Sequence, residues 1–382
     1  MKIGIFTNAY KPTISGVVNA VTLLKQGFVE LGAEPQVFAP RFPGYKKEEE
    51  RVHRFPSVNL FPKTNFPLAI PFSPRLYKFI EQSRFAVLHA HHPYLLGQLA
   101  ASYARKSRIP LVYTFHTQFE QYTHYIPLLP REMAKKITRD SVVGYLKNCD
   151  LILCPAKSVL SILNGYGVGD KVKIVPNPVD LSVFSGKDGE IVRKKFNVAP
   201  EEKLLVFVGR LGQEKNLENL FKVFARIREQ VPQSRLMIVG EGPDEENLRL
   251  KAKNYFSNGE ILFSGRVEFQ DIPPYYAASD LYVMTSTTEV KPLALLEAMA
   301  SRLPVVAFAA HGASDTVTHG KDGFLIEGGE AEFVKTAAEL LQATERLKEF
   351  GENAREAARQ YHYLEVAKAT LDTYRDLIQS YR

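Results

Sequence analysis

The sequence predicts an α/β protein made of two tandem doubly wound domains, each built on a parallel sheet. Three observations carry this reading. Short apolar, β-branched runs alternate with helix-period stretches along most of the chain, the alternation halts at Pro176-Asn177-Pro178 and then restarts, and 382 residues exceed what one ordinary hydrophobic core serves.

The first element is a strand from Ile3 to Phe6. Val17, Val21, Leu24, Phe28 and Leu31 then recur at helical spacing before Gln36-Val37-Phe38 returns to strand, which together make a βαβ unit. Further strands fall at Ala86-Val87-Leu88, Leu111-Val112-Tyr113-Thr114, Leu151-Ile152-Leu153 and Val172-Lys173-Ile174-Val175, with helix-length segments near 94–107 and 130–148. Residues 61–74 contain four prolines and cannot be a regular helix. Neither proline of Pro176-Asn177-Pro178 can donate a ladder hydrogen bond, so the linker is expected there, with domains at 1–177 and 178–362.

The second domain opens on the fully apolar strand Leu204 to Val208. A helix follows whose core face is Leu217, Leu220, Phe221, Phe224 and Ile227, and strands are expected at 235–239, 260–263, 281–284 and 304–307. The last segment, 363–382, is helical with no strand after it, and is expected to cross back onto the first domain. Doubly wound sheets bind ligands beyond the carboxyl ends of their strands, so a substrate is expected in the cleft between the domains and motifs just after strands.

Composition narrows the class. Hydrophobic residues at 45% and charged residues at 24% are those of a soluble globular protein, and no run approaches the roughly 18 apolar residues of a membrane-spanning helix. The chain starts on the strand-like MKIGIFT rather than a signal-peptide pattern, which points to the cytoplasm. Cys149 and Cys154 fit neither a redox pair nor a zinc site and read as buried thiols. The net charge of +7 is unevenly distributed: residues 1–180 hold 23 Lys and Arg against 12 Asp and Glu. The basic half suits an anionic surface, either nucleic acid or a membrane leaflet, although solvation alone also accounts for it. No nucleic-acid recognition motif accompanies the charge, so no nucleic-acid partner is expected.

Two constellations carry chemistry. Gly209-Arg210-Leu211-Gly212-Gln213-Glu214-Lys215-Asn216 follows the strand ending at Val208. Its glycines allow close backbone approach, and the planar fork of Arg210 with the point charge of Lys215 suits a diphosphate, although two solvated loop cations would look the same. After the strand at 281–284, Glu289 lies in a loop and Glu297 in a helix beginning near Leu293. Carboxylates accept directional hydrogen bonds from sugar and ribose hydroxyls, and a helix N-terminus favours phosphate. The apolar neighbours Leu295, Leu296, Ala298 and Met299 argue against Glu297 as a merely solvated residue. No GxGxxG follows either first strand, which disfavours a nicotinamide-dependent dehydrogenase.

Gly-Arg-Leu-x-x-Glu-Lys-Asn, followed by two glutamates with seven residues between them, resembles the retaining nucleotide-sugar-dependent glycosyltransferases of family 4, which have the GT-B fold. The likeness extends to Ser15-Gly16-Val17, to His116 in Tyr113-Thr114-Phe115-His116-Thr117, to Val175 through Asp180, and to Val239-Gly240-Glu241-Gly242-Pro243. It implies that Gly209, Arg210 and Lys215 hold the donor diphosphate, with the amides near Leu293 at the helix start. It further implies that Glu297 holds the ribose, Glu289 contacts the transferred sugar, and the backbone of Gly265-Arg266-Val267 reads the base. Gly16 lets its loop approach the diphosphate or acceptor, and His116 lies against the reacting face of the sugar, although a lone histidine at a strand end is by default a structural one.

The chain departs from the family at Lys291-Pro292, where a small residue with a phosphate-contacting amide is usual. Pro292 has no N–H, so either Lys291 compensates or the amides of Leu293 and Ala294 suffice. The resemblance implies retention by a front-face route in which the leaving phosphate takes the acceptor's proton, with Glu289 as a conceivable but disfavoured nucleophile. Neither metal nor other cofactor is expected beyond the nucleotide-sugar co-substrate, UDP-glucose, because two cations replace the divalent ion. His89, His91 and His92 are expected to diverge from a short strand end rather than converge on a metal.

The stretch His116 to Ile126 resembles that of bacterial diacylglycerol glucosyltransferases, which implies a lipid acceptor at the inner face of the cell membrane. Arg131, Lys135 and Arg139 recur at four-residue spacing on one helix, and a proline-broken aromatic stretch at 61–72, with Phe66, is flanked by Lys63, Arg75 and Lys78; both suit an anionic headgroup layer. Glu132 and Asp140 could neutralise the helix, and the aromatic rings could equally pack on the core. A soluble acceptor, or a sugar-nucleotide-binding protein without catalysis, stays open as an alternative.

Overall fold

The structure, a computed structural model, describes residues 1–47, 49–59, 67–125, 130–256 and 259–381. Lys63 and Phe66 lie outside the described residues. The chain forms two compact units, Met1–Pro178 with Tyr363–Arg382, and Val179–His362.

The first unit runs β1 (Lys2–Phe6), α1 (Gly16–Glu30), β2 (Glu34–Pro40), β3 (Val52–Phe55), β4 (Ser57–Val58), β5 (Leu68–Ala69), α2 (Pro74–Gln82), β6 (Val87–Ala90), α3 (Leu96–Ser107), β7 (Leu111–Thr114), α4 (Arg131–Lys147), β8 (Leu151–Cys154), α5 (Leu160–Gly165) and β9 (Val172–Ile174). Seven strands make one parallel sheet in the order β3-β2-β1-β6-β7-β8-β9, and β4 with β5 forms a small antiparallel pair. Order reverses between β1 and β6, so the loops after these two strands flank the crevice where such sheets take ligands.

The second unit runs α6 (Glu190–Lys195), β10 (Lys203–Val208), α7 (Leu217–Gln230), β11 (Ser234–Val239), α8 (Glu245–Lys253), β12 (Ile261–Gly265), α9 (Pro273–Ala277), β13 (Leu281–Met284), α10 (Leu293–Ala300), β14 (Val305–Phe308), α11 (His311–Ser314), β15 (Gly323–Ile326), α12 (Glu330–Gln342) and α13 (Thr344–Ala358). Its six-stranded parallel sheet has the order β12-β11-β10-β13-β14-β15, with the reversal between β10 and β13. The apolar stripe of α7 packs on this sheet through Leu217, Leu220, Phe221, Phe224 and Ile227, all buried.

After the second unit the chain returns to the first as α14 (Tyr363–Ser380), whose Val366, Ala367, Leu371 and Tyr374 join the core of β1, β2, β6, β7 and α1. Close contact with α1 depends on Gly27, where an added Cβ would stand 2.6 Å from Cβ of Ala367. The Tyr363 hydroxyl donates to the Glu30 carboxylate at 3.0 Å at the same seam. Full burial of each large side chain there contributes about 1.5–3 kcal/mol. Cys149 and Cys154 are both buried free thiols.

Candidate functional site

At the β10–β13 reversal, two loops are stitched together by their own polar groups. Thr285 Oγ1 donates to the Asn216 carbonyl at 2.9 Å, and Ser286 Oγ donates to the Glu214 carbonyl at 3.0 Å. Asn216 adopts a left-handed conformation (φ 53°) that lets the loop turn directly into α7. These bonds set Lys215, after β10, against Glu289, after β13, and the ammonium and carboxylate form an ion pair. Each side chain is only 17% exposed, so the pair sits in a partly desolvated place.

The Gly209–Leu211 segment is braced from the other side by the loop after β11. Gly209 N–H donates to the Val239 carbonyl at 3.0 Å, Leu211 N–H to the Glu241 carbonyl at 2.9 Å, and Asp244 N–H to the Leu211 carbonyl at 3.1 Å. A Cβ on Gly240 would stand 2.0 Å from the Gly209 oxygen, so only glycine fits there. Val239-Gly240-Glu241-Gly242-Pro243 is therefore the brace that fixes the backbone carrying Arg210. Arg210 itself is half-buried.

Glu297 projects from α10 and is buried among Leu295, Leu296, Ala298 and Met299. The Tyr276 hydroxyl donates to its carboxylate at 3.0 Å. Burial, and then the Glu297 charge, push the Tyr276 phenol well above its ordinary value, so it stays a donor. Leu293 is buried at the start of α10, with Pro292 as the residue before the first turn. Lys291 is also buried: its ammonium reaches the Asp315 carbonyl at 3.2 Å and the Tyr361 hydroxyl at 3.4 Å, and lies 4.6 Å from the centre of the Tyr361 ring. Burial lowers Lys291 to about 8. Gly312 N–H donates to the Glu289 carbonyl at 3.1 Å, so α11 holds the Glu289–Pro292 loop at both ends. Of the two ways to offset the missing amide of Pro292, this arrangement favours the first-turn amides over Lys291.

Gly265-Arg266-Val267 ends β12, with Gly265 at φ 68° and its carbonyl accepting from Gly240 N–H at 3.2 Å. Arg266 pairs with Glu241 and Glu268, and Val267 is half-buried.

In the first unit, Gly16 is exposed at the start of α1, where Ser15 Oγ caps the helix by accepting from Val18 N–H at 3.3 Å. Asn8, after β1, donates to the Tyr94 carbonyl at 2.8 Å and accepts from Leu96 N–H at 3.1 Å, tying its loop to the one after β6. His89 and His91, at the end of β6, do not diverge as expected. Residues two apart on a strand share a face, and their rings lie 4.1 Å apart, while the His91 ring lies edge to edge with that of His116, their planes within 20°. His91 Nδ1 and His116 Nε2 are 2.8 Å apart, while His92 turns aside to accept from Asn8 N–H at 3.1 Å. Burial pushes His89 and His116 down to about 3 and His92 to about 4, and lowers His91 well below its ordinary value, so all four are neutral near pH 7.

Comparison with known proteins decides the family. A profile for Glycosyltransferase Family 4 matches residues 14–183 and one for glycosyl transferases group 1 matches residues 188–357. The chain is 31% identical to an alpha-monoglucosyldiacylglycerol synthase of Acholeplasma laidlawii, over 99% of this chain and 98% of that one. The chain belongs to the family 4 glycosyltransferases. Another alpha-monoglucosyldiacylglycerol synthase, from Streptococcus pneumoniae, is 28% identical over 91% of this chain and 80% of its own length. Among solved structures, Anabaena HepE in complex with UDP and glucose superposes with a TM-score of 0.78 at 21% identity, covering 98% and 100% of the two chains. Sucrose-phosphate synthase from Thermosynechococcus elongatus gives 0.80 at 17% identity, covering 99% of each. These likenesses establish the GT-B fold of two Rossmann-like units.

In this glycosyltransferase, sequence reasoning missed three relationships. One is the direct Lys215–Glu289 pair, invisible because its partners lie 74 positions apart. A second is the support of Glu297 by Tyr276, whose only sequence signal was an aromatic in a proline-started helix. The third is the exposed face of α4, which carries Met133 and Ile137 beside exposed Lys136. Lys135 is instead half-buried and paired with Glu132 at 3.0 Å, exposed Arg139 lies 3.9 Å from Asp140, and Arg131 is exposed in the first turn.

Proposed function

We propose that the protein moves a hexose, glucose, from a nucleotide sugar such as UDP-glucose to a hydroxyl of a membrane lipid such as diacylglycerol, with retention of anomeric configuration. The juxtaposition of Lys215 and Glu289 beside the Arg210 loop, at the sheet's reversal, carries the donor half of the reading. Departure of the nucleoside diphosphate places negative charge on a phosphate oxygen, which the fork of Arg210 and the ammonium of Lys215 take up. The first-turn amides of α10 add their dipole, and Glu297, oriented by Tyr276, accepts from the ribose hydroxyls. His116 serves the transferred sugar.

The departing phosphate oxygen accepts the acceptor's proton while the new bond forms on the same face, which retains configuration. A Glu289 carboxylate paired with Lys215 is a weak nucleophile, which supports this route over a glycosyl-enzyme intermediate. The two cations do the work of a divalent ion.

The lipid acceptor is supported by 31% identity to a synthase whose name specifies a glucosylated diacylglycerol, and by the mixed apolar and basic face of α4. Such a face suits the headgroup boundary of an anionic leaflet, so the enzyme is read as peripheral on the inner face of the cell membrane. No helix among the described residues is long and apolar enough to cross a membrane. A soluble acceptor is the second reading, favoured by the neutralisation of Lys135 by Glu132.

The test is nucleotide release from a panel of sugar nucleotides with and without diacylglycerol in anionic vesicles, with the anomer of the product assigned by NMR. Stimulation by diacylglycerol with an α-linked product supports the reading. Equal release without lipid, or an inverted product, overturns it.

A further inference from the structure

We infer that His91 is a positioning residue that fixes the tautomer of His116, so that His116 presents Nδ1–H to its ligand. The argument starts from proton counting. Both rings are neutral near pH 7, so each carries one N–H, and the 2.8 Å contact between His91 Nδ1 and His116 Nε2 uses one of these two protons. If His116 donated, His91 would carry its proton on Nε2, a buried atom with no hydrogen-bond partner. Orphaned buried N–H groups are rarer than under-satisfied acceptors, so His91 Nδ1–H donates and the lone pair of its Nε2 is the atom left unpaired. His116 Nε2 is then occupied as an acceptor, and Nδ1–H is the group left for a ligand.

The neighbouring histidine shows why His91 and not His89 does this. Buried Tyr374 has His89 Nδ1 at 2.6 Å as its hydrogen-bond partner, so its O–H donates there and His89 Nε2–H donates to Thr114 Oγ1 at 2.7 Å. His89 is thereby spent on tying α14 to β7. It meets His91 ring against ring, with centres 4.1 Å apart and planes tilted by 38°, which confines the His91 ring without sharing a proton. The backbone N–H of His91 donates to the Phe6 carbonyl at 2.9 Å, which anchors the other end of the residue.

This inference rests on the proposed role of His116 in transfer, and the test separates the two. Nitrogen-15 correlation spectra of the full chain should show His116 protonated at Nδ1. His91→Asn can place an amide N–H where Nδ1–H stood and should keep that tautomer and turnover within about threefold. His91→Asp, of the same size, puts an acceptor there and should switch His116 to Nε2–H. It should lower kcat by about ten- to hundredfold, by analogy with the loss of the partner that orients a metal-bound histidine, with donor KM changed little. An Nε2–H tautomer in the wild type, or equal kcat for the Asn and Asp variants, overturns the positioning role. Wild-type kcat in His116→Ala would instead sink the assignment of His116, leaving the spectra to judge the tautomer alone. A thermal melt of each variant reports whether it folds, and the Asn and Asp pair controls for packing.

Discussion

Lys215 and Glu289, from loops after two adjacent strands of the second unit, form an ion pair in which each side chain is largely shielded from water. Lys215→Ala is therefore expected to do two things. Transfer should fall by at least about 10²-fold, the scale for losing one preorganised charge stabiliser. Stability should also drop by about 1–3 kcal/mol, because Glu289 is left without its main counter-charge. Adding Glu289→Gln should restore part of the melting temperature and none of the activity, so a double-mutant cycle by calorimetry and product assay checks both. Arg210→Ala should abolish transfer with an unchanged fold by circular dichroism.

Tyr276→Phe removes a 3.0 Å hydrogen bond to a buried carboxylate while keeping the ring. Bonds to charged groups contribute about 1.5–3 kcal/mol, so binding of UDP should weaken about tenfold or more by titration calorimetry, with kcat changed far less. Equal affinity in the variant would remove Glu297 from nucleotide recognition.

Lys291→Met should leave the donor KM within about twofold. The ammonium is occupied by the Asp315 carbonyl and Tyr361, so its removal is felt by those groups and not by a phosphate. The melting temperature should fall, because buried polar groups lose a partner. A large rise in donor KM would instead place Lys291 on the phosphate.

The histidine cluster makes stability depend on acid. His89 and His116 titrate near 3 and His92 near 4 in the folded chain, against about 6.5 when unfolded, so the unfolded state binds more protons in between. Their contribution is fully present above pH 6.5 and is lost as pH falls toward 4 and then 3, at about 1.4 kcal/mol per pH unit for each residue. Thermal melts from pH 7 to 4 should show this slope. His89→Gln, which removes one such group, should make it shallower.

On α4, Met133 and Ile137 are 53% and 52% exposed, and they lie one turn apart beside Lys136. Met133→Ser with Ile137→Ser should cut sedimentation with anionic vesicles several-fold, since each apolar chain contributes on the order of 1 kcal/mol or more when buried in the interface. Donor hydrolysis in the absence of lipid should be unchanged. High salt should lower wild-type binding through the basic residues.

Much of the fold was legible because interior strands such as Leu204–Val208 and amphipathic helices such as Leu217–Gln230 repeat their burial pattern in sequence. Of the edge strands, β9 and β12 were legible and two were not: β3 carries His53 and Arg54, and β15 is four residues opened by Gly323, so neither reads as an apolar run. At the site, the loops holding Arg210, Lys215 and Glu289 and the helix holding Glu297 follow the strands that the pattern indicated. Which groups touch was hidden, since it depends on strand order rather than on spacing. The histidine cluster shows the reverse: the period of a strand already places His89 and His91 on one face, but His116 comes from the neighbouring strand.

The return of α14 to the first unit has a consequence for how the molecule is made. Tyr374 is hydrogen-bonded to His89 and so completes the layer that His91 lies against, yet it stands 285 residues further along the chain than His89. The core of the second unit is drawn from one continuous stretch, Leu205 to Leu347. The first must wait for residues beyond 363, so a polypeptide interrupted before that point carries the donor loops without a finished histidine layer. Truncation before Tyr363 is expected to cost the first unit part of its core before it costs the second any.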